Sequence, residues 1–414
     1  MNPSHVWLPY AQMKTAPEPL CVERAAGVRL YLADGRSLVD GTSSWWTACH
    51  GYNHPYIRGA VNTQLEQLPH VMLGGLVHPP AATLARRLAQ LLPGDLEHVF
   101  FSESGSVAVE IAMKMALQFW INQGHSQRVR FLSFQHAYHG DTFAAMSVCD
   151  PHEGMHRLFG AVLQPQVIVP LPVSADELMA FERSVAEHAG ELAAVIVEPL
   201  VQAAGGMKFH EPEVLERIAA VARRYDLLLI LDEIATGFGR AGTMFACEQA
   251  AVVPDIITLS KALTGGTMPL AATVARRHVY QAFWSDDAAH ALMHGPTFAG
   301  NPLACAAANA SLDLFESEPR LKQVASIGVQ LAEGLKTCRG LRGVRDVRVK
   351  GAIGVVQLAN FPNHDLLRRR FVQEGAWIRP FGDVVYLMPP FVIDAADLES
   401  LLRAVRAVVG DCAG

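Results

Sequence analysis

Two side chains in this sequence stand where an acid and an amine could act together. Leu227-Leu-Leu-Ile-Leu-Asp232 is an apolar run that ends on a carboxylate, and Asp255-Ile-Ile-Thr-Leu-Ser-Lys261 is a second run that ends on an amine. Each reads as a buried parallel strand that stops at an ionisable residue before a glycine-rich turn. Open α/β sheets bind ligands beyond the carboxyl ends of their strands, so the spacing predicts Asp232 and Lys261 together at a ligand site. A carboxylate that keeps a pyridine nitrogen protonated and a lysine that forms a Schiff base are the minimum equipment for pyridoxal phosphate chemistry. Singly, Asp232 could cap a helix and Lys261 could be a solvated edge charge. The chain has seven lysines against twenty-seven arginines, and Lys261 lies in an apolar segment with no adjacent acid. Desolvation there lowers the pKa of an amine and makes its neutral form available. Lys350, the other strand-like lysine, has no comparable surroundings.

Other strand ends supply matching groups. His98 to Ser102 reads as a strand that turns through Ser104-Gly105-Ser106 into a long helix. A helix start of small and hydroxyl residues offers backbone N–H groups and a positive dipole end to a phosphate, although serine there could be an ordinary cap. On that helix Glu110 and Lys114 are spaced to pair at i,i+4, and the largely apolar remainder predicts burial. The next strand ends in Gln135-His136-Ala-Tyr138-His139-Gly-Asp141, where Tyr138 could stack on a planar heterocycle or serve as a core tyrosine. Glu198-Pro199 ends the strand after it with another carboxylate.

These residues need a scaffold of alternating elements. Strands are expected at 98–102, 129–134, 193–198, 227–232 and 255–260, and helices at 80–92, 106–122, 211–224 and 302–316. That alternation implies βαβ units and a mostly parallel sheet flanked by helices, an α/β fold. Beyond about residue 315 the pattern becomes helix, strands within 344–358 and 384–388, and a last helix over 395–409, a smaller α+β unit. The reading gives a large domain over 46–314, a small domain over 315–414, and an N-terminal segment, 1–45, that joins the small one.

A net charge of −6 without a basic tract argues against nucleic acid or an anionic membrane as partner. No apolar run reaches the roughly 18 residues that span a bilayer, and the first residues lack the pattern of a secretory signal. A cytoplasmic protein is expected. Its seven scattered cysteines, with no Cys-x-x-Cys, read as small core residues in a reducing compartment.

Two motifs match by letter and fail by context. His152-Glu-Gly-Met-His156 has zinc-peptidase spacing, but a glycine interrupts the turn and no third ligand stands out, so no metal is expected. Gly237-Phe-Gly239-Arg-Ala-Gly242 matches a dinucleotide fingerprint, but its glycines follow the strand end by several residues and open no long helix.

Over almost its whole length the chain resembles the class III aminotransferases of pyridoxal phosphate fold type I. The resemblance rests on Leu231-Asp-Glu-Ile-Ala-Thr-Gly-Phe-Gly-Arg240 and Leu259-Ser-Lys-Ala-Leu-Thr-Gly-Gly266. Within the class, Asp40-Gly-Thr-Ser-Ser-Trp45-Trp46, the 104–118 segment, Ser147-Val-Cys-Asp-Pro151 and Trp377-Ile-Arg379-Pro-Phe381 resemble the branch that aminates 8-amino-7-oxononanoate with S-adenosylmethionine as donor. The resemblance implies that Lys261 forms the Schiff base with pyridoxal 5′-phosphate and later shuttles protons. It further implies that Asp232 pairs with the ring nitrogen, Gly105 and Ser106 bind the phosphate, Tyr138 stacks on the ring, and Asp141 and Glu198 support the site. Gly295, Pro296 and Thr297 would lie at the site, with Thr297 reaching the phosphate of the other subunit in a homodimer with composite active sites. Tyr10, Trp45, Trp46 and Arg379 would line the substrate side, where Tyr138 and Lys261 also meet substrate. A transaminase acting on lysine or ω-amines and a non-catalytic cofactor-binding sensor are the rival expectations.

Overall fold

A computed structural model describes residues 5–152, 155–360 and 363–412. The chain divides into two compact units, one formed by Met1–His54 with Lys322–Gly414 and the other by Pro55–Leu321.

The Pro55–Leu321 unit is built on a seven-stranded sheet. Its strands lie in the order Leu96–Ser102, Ala271–Arg276, Ile256–Leu259, Leu228–Asp232, Leu192–Val197, Arg130–Phe134 and Val167–Val169. Leu228–Asp232 pairs in parallel with both neighbours, and Asp232 lies in register with Thr258. Ala271–Arg276 runs antiparallel to both of its neighbours, so the expected mostly parallel sheet carries one reversed strand. Composition explains the parallel part: Leu192–Val197 and Leu228–Asp232 are buried at every position, as strands covered on both faces must be.

The helix Gly105–Asn122 packs across this sheet. Ile111, Ala112, Met115 and Phe119 meet Ala194, Ile196, Ile230 and Ile256 in one core cluster. Burying each large aliphatic side chain contributes about 1.5–3 kcal/mol. Two short strands escaped the sequence reading. Val167–Val169 has only three residues, and Ala271–Arg276 is rich in alanine, which carries little strand propensity.

The unit formed by the chain ends holds two sheets. In the first, Val22–Ala26, Arg29–Leu32 and Ser37–Asp40 form a meander, and Ala376–Trp377 adds in parallel to Ser37–Asp40 with Trp377 opposite Asp40. The second is an antiparallel sheet of Val344–Lys350, Ile353–Leu358 and Val384–Leu387. The pairing of 376–377 with 37–40 is what brings N-terminal and C-terminal residues into one unit.

The acid beside Asp232 has a structural task. Glu233 is fully buried, and its carboxylate accepts from the Thr236 hydroxyl and from the backbone N–H groups of Ala246 and Cys247 at 2.8–2.9 Å. It therefore folds the 234–247 loop back on its own start. Burial pushes the Glu233 carboxyl above the usual range, while the three donors pull it down. Glu233→Ala strands these donors, and a buried unsatisfied polar group costs about 1–3 kcal/mol. Denaturant unfolding should show a stability loss of at least about 2 kcal/mol; a loss within about 0.5 kcal/mol, the size of a surface substitution, would contradict this role.

Candidate active site

The two strand ends singled out by sequence converge. Asp232 ends its strand at 4 % exposure, and Lys261, two residues beyond Leu259 on the adjacent strand, is half-buried. Burial lowers the Lys261 amine to about 8, against the opposing pull of the Asp232 and Glu198 charges. Burial likewise pushes Glu198 up to about 7, with the Asp232 charge adding to the rise and His139 and the Tyr138 and Ala203 N–H groups opposing it. One amine and two carboxylates thus share a low-dielectric site in which each charge is felt by the others. Lys261 itself takes a left-handed φ of +28° at the start of the turn Lys261–Thr264.

Asp232 is held from three directions. Its Oδ1 accepts from the Ile234 N–H at 3.1 Å and from the Thr258 hydroxyl at 3.3 Å. Its Oδ2 lies 2.7 Å from His139 Nδ1. A carboxylate can only accept, so His139 donates from Nδ1 and carries its proton there. Nε2 of the same ring is buried with no hydrogen-bond partner among the described residues. Sequence reading missed His139 as part of the site although it lies inside the segment quoted for Tyr138. The available clue was that a buried aspartate needs a partner beyond its own turn.

Tyr138 and Glu198 are tied together. The Tyr138 N–H donates to Glu198 Oε2 at 3.0 Å, and the Ala203 N–H donates to Oε1 at 3.0 Å. The Tyr138 hydroxyl donates to Asp141 Oδ1 at 2.9 Å, and His156 Nε2 lies 2.9 Å from the same oxygen. The Tyr138 ring stacks on His156 with centroids 5.8 Å apart. His156 is therefore engaged with Asp141 and Tyr138; Glu153 and Gly154 of the zinc-like motif lie outside the described residues. No cluster of three metal-ligating side chains occurs among the described residues.

At the helix start expected to bind phosphate, the Ser104 side chain caps the helix Gly105–Asn122 by accepting from the Val107 N–H. A Cβ on Gly105 would sit 2.9 Å from Ile234, so the helix start packs directly against the segment that follows Asp232. Ser106 Oγ accepts from the Thr142 N–H at 3.0 Å and shares a 2.8 Å hydrogen bond with the Thr142 hydroxyl. Glu110 does not pair with Lys114 as expected: its Oε1 accepts from the Thr142 hydroxyl and from the N–H groups of Ala144 and Ala145. Unpaired N–H groups at the start of the 143–147 helix outcompete an exposed i,i+4 ion pair of a few tenths of a kcal/mol. Lys114 instead reaches the Met293 carbonyl at 2.9 Å and His294 Nδ1 at 3.2 Å. It thereby docks the segment carrying Gly295, Pro296 and Thr297, in which Gly295 and Thr297 are exposed. Thr297 makes no hydrogen bond to the Lys261 group among the described residues.

The remaining sequence candidates belong to the other unit. Tyr10 meets the Trp45 ring edge-on at 6.1 Å, and the Arg379 guanidinium lies 4.9 Å from the Trp45 ring centroid. Trp46 is buried at 7 % exposure against Tyr386 and so stands behind this group rather than on its surface. Ser43, Ser44, Trp45 and Trp46 all take positive φ, from +46° to +76°. Left-handed backbone costs a non-glycine residue about 1–2 kcal/mol, so the double tryptophan sits on a strained turn.

The sequence profile of the Aminotransferase class-III family matches residues 10–409. The chain is a class III aminotransferase. It is 45 % identical over 419 residues to the adenosylmethionine-8-amino-7-oxononanoate aminotransferase of Mycobacterium leprae, covering 99 % of this chain and 96 % of that protein. The crystal structure of the protein of the same name from Methanocaldococcus jannaschii superposes with a TM-score of 0.95 at 32 % identity, over 99 % of this chain and 97 % of that one. A PLP-bound amine transaminase from an uncultivated Pseudomonas species superposes with a TM-score of 0.92 at 31 % identity, over 98 % of each chain.

The aminotransferase's buried amine, its anchored aspartate and its capped helix start fit an aromatic aldehyde bearing a phosphate. Two outcomes are expected. The rate at which apoprotein takes up pyridoxal phosphate covalently should rise with pH around a midpoint of about 8, because the neutral amine is the nucleophile. Glu198→Gln removes a charge that favours the protonated amine, so the midpoint should fall; a rise would contradict the electrostatic assignment. In the second case, Gly140 has φ +131°, and a Cβ there would lie 2.7 Å from the Ser106 Cα. Gly140→Ala should therefore weaken equilibrium binding of pyridoxal phosphate by at least about tenfold, or 1.4 kcal/mol; an unchanged affinity would dissociate this contact from the phosphate seat.

Proposed function

We propose that this aminotransferase carries the amino group of S-adenosylmethionine to 8-amino-7-oxononanoate, giving 7,8-diaminononanoate in biotin synthesis, with pyridoxal 5′-phosphate as cofactor. The observation that carries the reading is similarity, over nearly the full length of both chains, to the M. leprae adenosylmethionine-8-amino-7-oxononanoate aminotransferase. The Tyr10, Trp45 and Arg379 group supports it, since this substrate pair combines carboxylates, an aliphatic chain and a sulfonium cation. Arginine grips a carboxylate with a planar fork, and aromatic walls accept both hydrocarbon and cation.

When bound, pyridoxal phosphate supplies an aldehyde that condenses with amines and a ring that accepts the electron pair left when a donor loses its α-proton. Lys261 is the amine that holds the cofactor at rest. Its amine, once free, would serve as the base that takes the proton from the donor's α-carbon and as the acid that returns it. Asp232, held by His139 and Thr258, keeps the proton on the ring nitrogen. Tyr138, fixed through Glu198 and Asp141, would pack against the cofactor ring, and the helix start at Gly105 and Ser106 would hold the phosphate. Tyr10, Trp45 and Arg379 orient the substrate, with Trp46 backing the wall. Both substrates use the same site in turn, which gives ping-pong kinetics.

The protein acts as a cytoplasmic homodimer in this reading, Gly295, Pro296 and Thr297 of one subunit completing the phosphate site of the other. Met72, Leu76, Val77, Met293 and Phe298 are exposed apolar side chains on two neighbouring segments of the same unit, joined by the 4.5 Å contact of His70 with Phe298. An apolar surface of this kind favours association. No helix is long and apolar enough to cross a membrane among the described residues.

The likeness to an amine transaminase favours a second reading, in which ω-amines are the donors. The purified protein loaded with pyridoxal phosphate should change its visible spectrum on addition of S-adenosylmethionine and recover on addition of 8-amino-7-oxononanoate. A response to lysine or ω-amines, and none to S-adenosylmethionine, would replace the donor. Lys261→Ala should lose the visible band of bound cofactor and at least about 10³-fold in turnover.

A further inference from the structure

The strained turn at Ser43–Trp46 has an organiser outside the groups already assigned. Asp40 ends the strand Ser37–Asp40 with its side chain completely buried. Its Oδ1 accepts from the Thr42 N–H at 2.7 Å and the Thr42 hydroxyl at 2.9 Å. Its Oδ2 accepts from the Ser44 N–H at 3.0 Å and from the Tyr52 hydroxyl, which also contacts Ser44 Oγ. A buried carboxylate with this many donors is a strong and directional clamp, because each bond is charge-assisted. It acts on the turn as an N-cap acts on a helix, satisfying N–H groups that the turn cannot satisfy itself.

The turn that follows is left-handed through four non-glycine residues and closes with bonds from Trp46 N–H to the Thr42 carbonyl and from Thr47 N–H to the Ser43 carbonyl, both 2.8 Å. Ser43 Oγ anchors it to the Met388 carbonyl at 2.7 Å. Gly41 has no room for a side chain, since a Cβ would lie 2.9 Å from Leu387 and 3.1 Å from Ile378. The hand of the turn decides which indole faces outward. Here Trp45 is 40 % exposed beside Tyr10 and Arg379, and Trp46 is buried. An L-residue turn released from its clamp relaxes toward the right-handed form, which rotates Trp45 away from its partners. Trp377, opposite Asp40 in register, places Arg379 two residues further along, so the strand pairing sets the guanidinium and the carboxylate sets the indole.

We propose that Asp40, with Tyr52 as its half-buried partner, is a positioning residue for substrate recognition: it holds the left-handed Ser43–Trp46 turn that presents Trp45 beside Arg379. The substrate consequence rests on the function proposed above, whereas the conformational consequence does not.

The test compares Asp40→Asn and Tyr52→Phe with Leu331→Ala, a core truncation in the same unit that leaves the turn untouched. Protein is labelled with 5-fluorotryptophan, and the Trp45 resonance is identified by its loss in Trp45→Phe. Asp40→Asn should shift or broaden the Trp45 resonance and raise KM for both substrates at least about tenfold, with a smaller change in kcat and an unaltered visible band of bound cofactor. Tyr52→Phe should move both readouts in the same direction by less, and it serves alone if Asp40→Asn does not fold. Leu331→Ala should lower thermal stability and leave the Trp45 resonance in place. An unmoved Trp45 resonance in a folded Asp40→Asn or Tyr52→Phe, or an equal movement in Leu331→Ala, would overturn the proposal. If the wild type turns over neither substrate, the function assignment fails while the resonance still decides the positioning role.

Discussion

The burial of one amine among two carboxylates is the constraint on which this aminotransferase depends. In water Lys261 would be an ordinary protonated lysine; inside the sheet it is brought within reach of neutral pH, and Glu198 is raised toward the same range. Neither shift survives without a dry environment, and the dry environment needs strands that are apolar on both faces. The all-buried Leu192–Val197 and Leu228–Asp232 provide it, with Gly105–Asn122 covering one side. Parallel pairing then makes the strand ends coincide, so that residues far apart in sequence arrive at one edge.

A second device appears in the other unit, where the backbone rather than a charge is held in an unfavourable state. The left-handed Ser43–Trp46 turn and the Asp40 carboxylate beneath it offset one another, strain against charge-assisted hydrogen bonds. Both devices place a buried carboxylate at the end of a strand or directly after it and use it to fix the residues that follow. Asp232 and Glu233 do this at the Lys261 site, Asp40 at the tryptophan pair.

Much of this was legible in the residues themselves. The strand ends at Asp232 and Lys261 were readable because a fully apolar run that stops at a single ionisable group suits a buried strand end and little else, and the long helices lie close to the ranges expected from their alternation with strands. The reversed strand Ala271–Arg276 was not readable, because its alanines carry no strand signature and direction is set by pairing. His139 was hidden because its role is a contact with a residue 93 positions away, and Glu110 was misassigned because local i,i+4 spacing ignores a competing helix start. The four left-handed residues could not be anticipated, since serine and tryptophan show no preference for that backbone and only the Asp40 clamp imposes it.

The central claim is that one particular lysine is the cofactor's attachment point. Reducing the loaded protein with borohydride, digesting it and mapping the modified residue by mass spectrometry tests this directly. Labelling of Lys261, with none on the other six lysines, is the predicted result; a phosphopyridoxyl group on Lys114 or Lys350 with Lys261 unmodified would contradict the account.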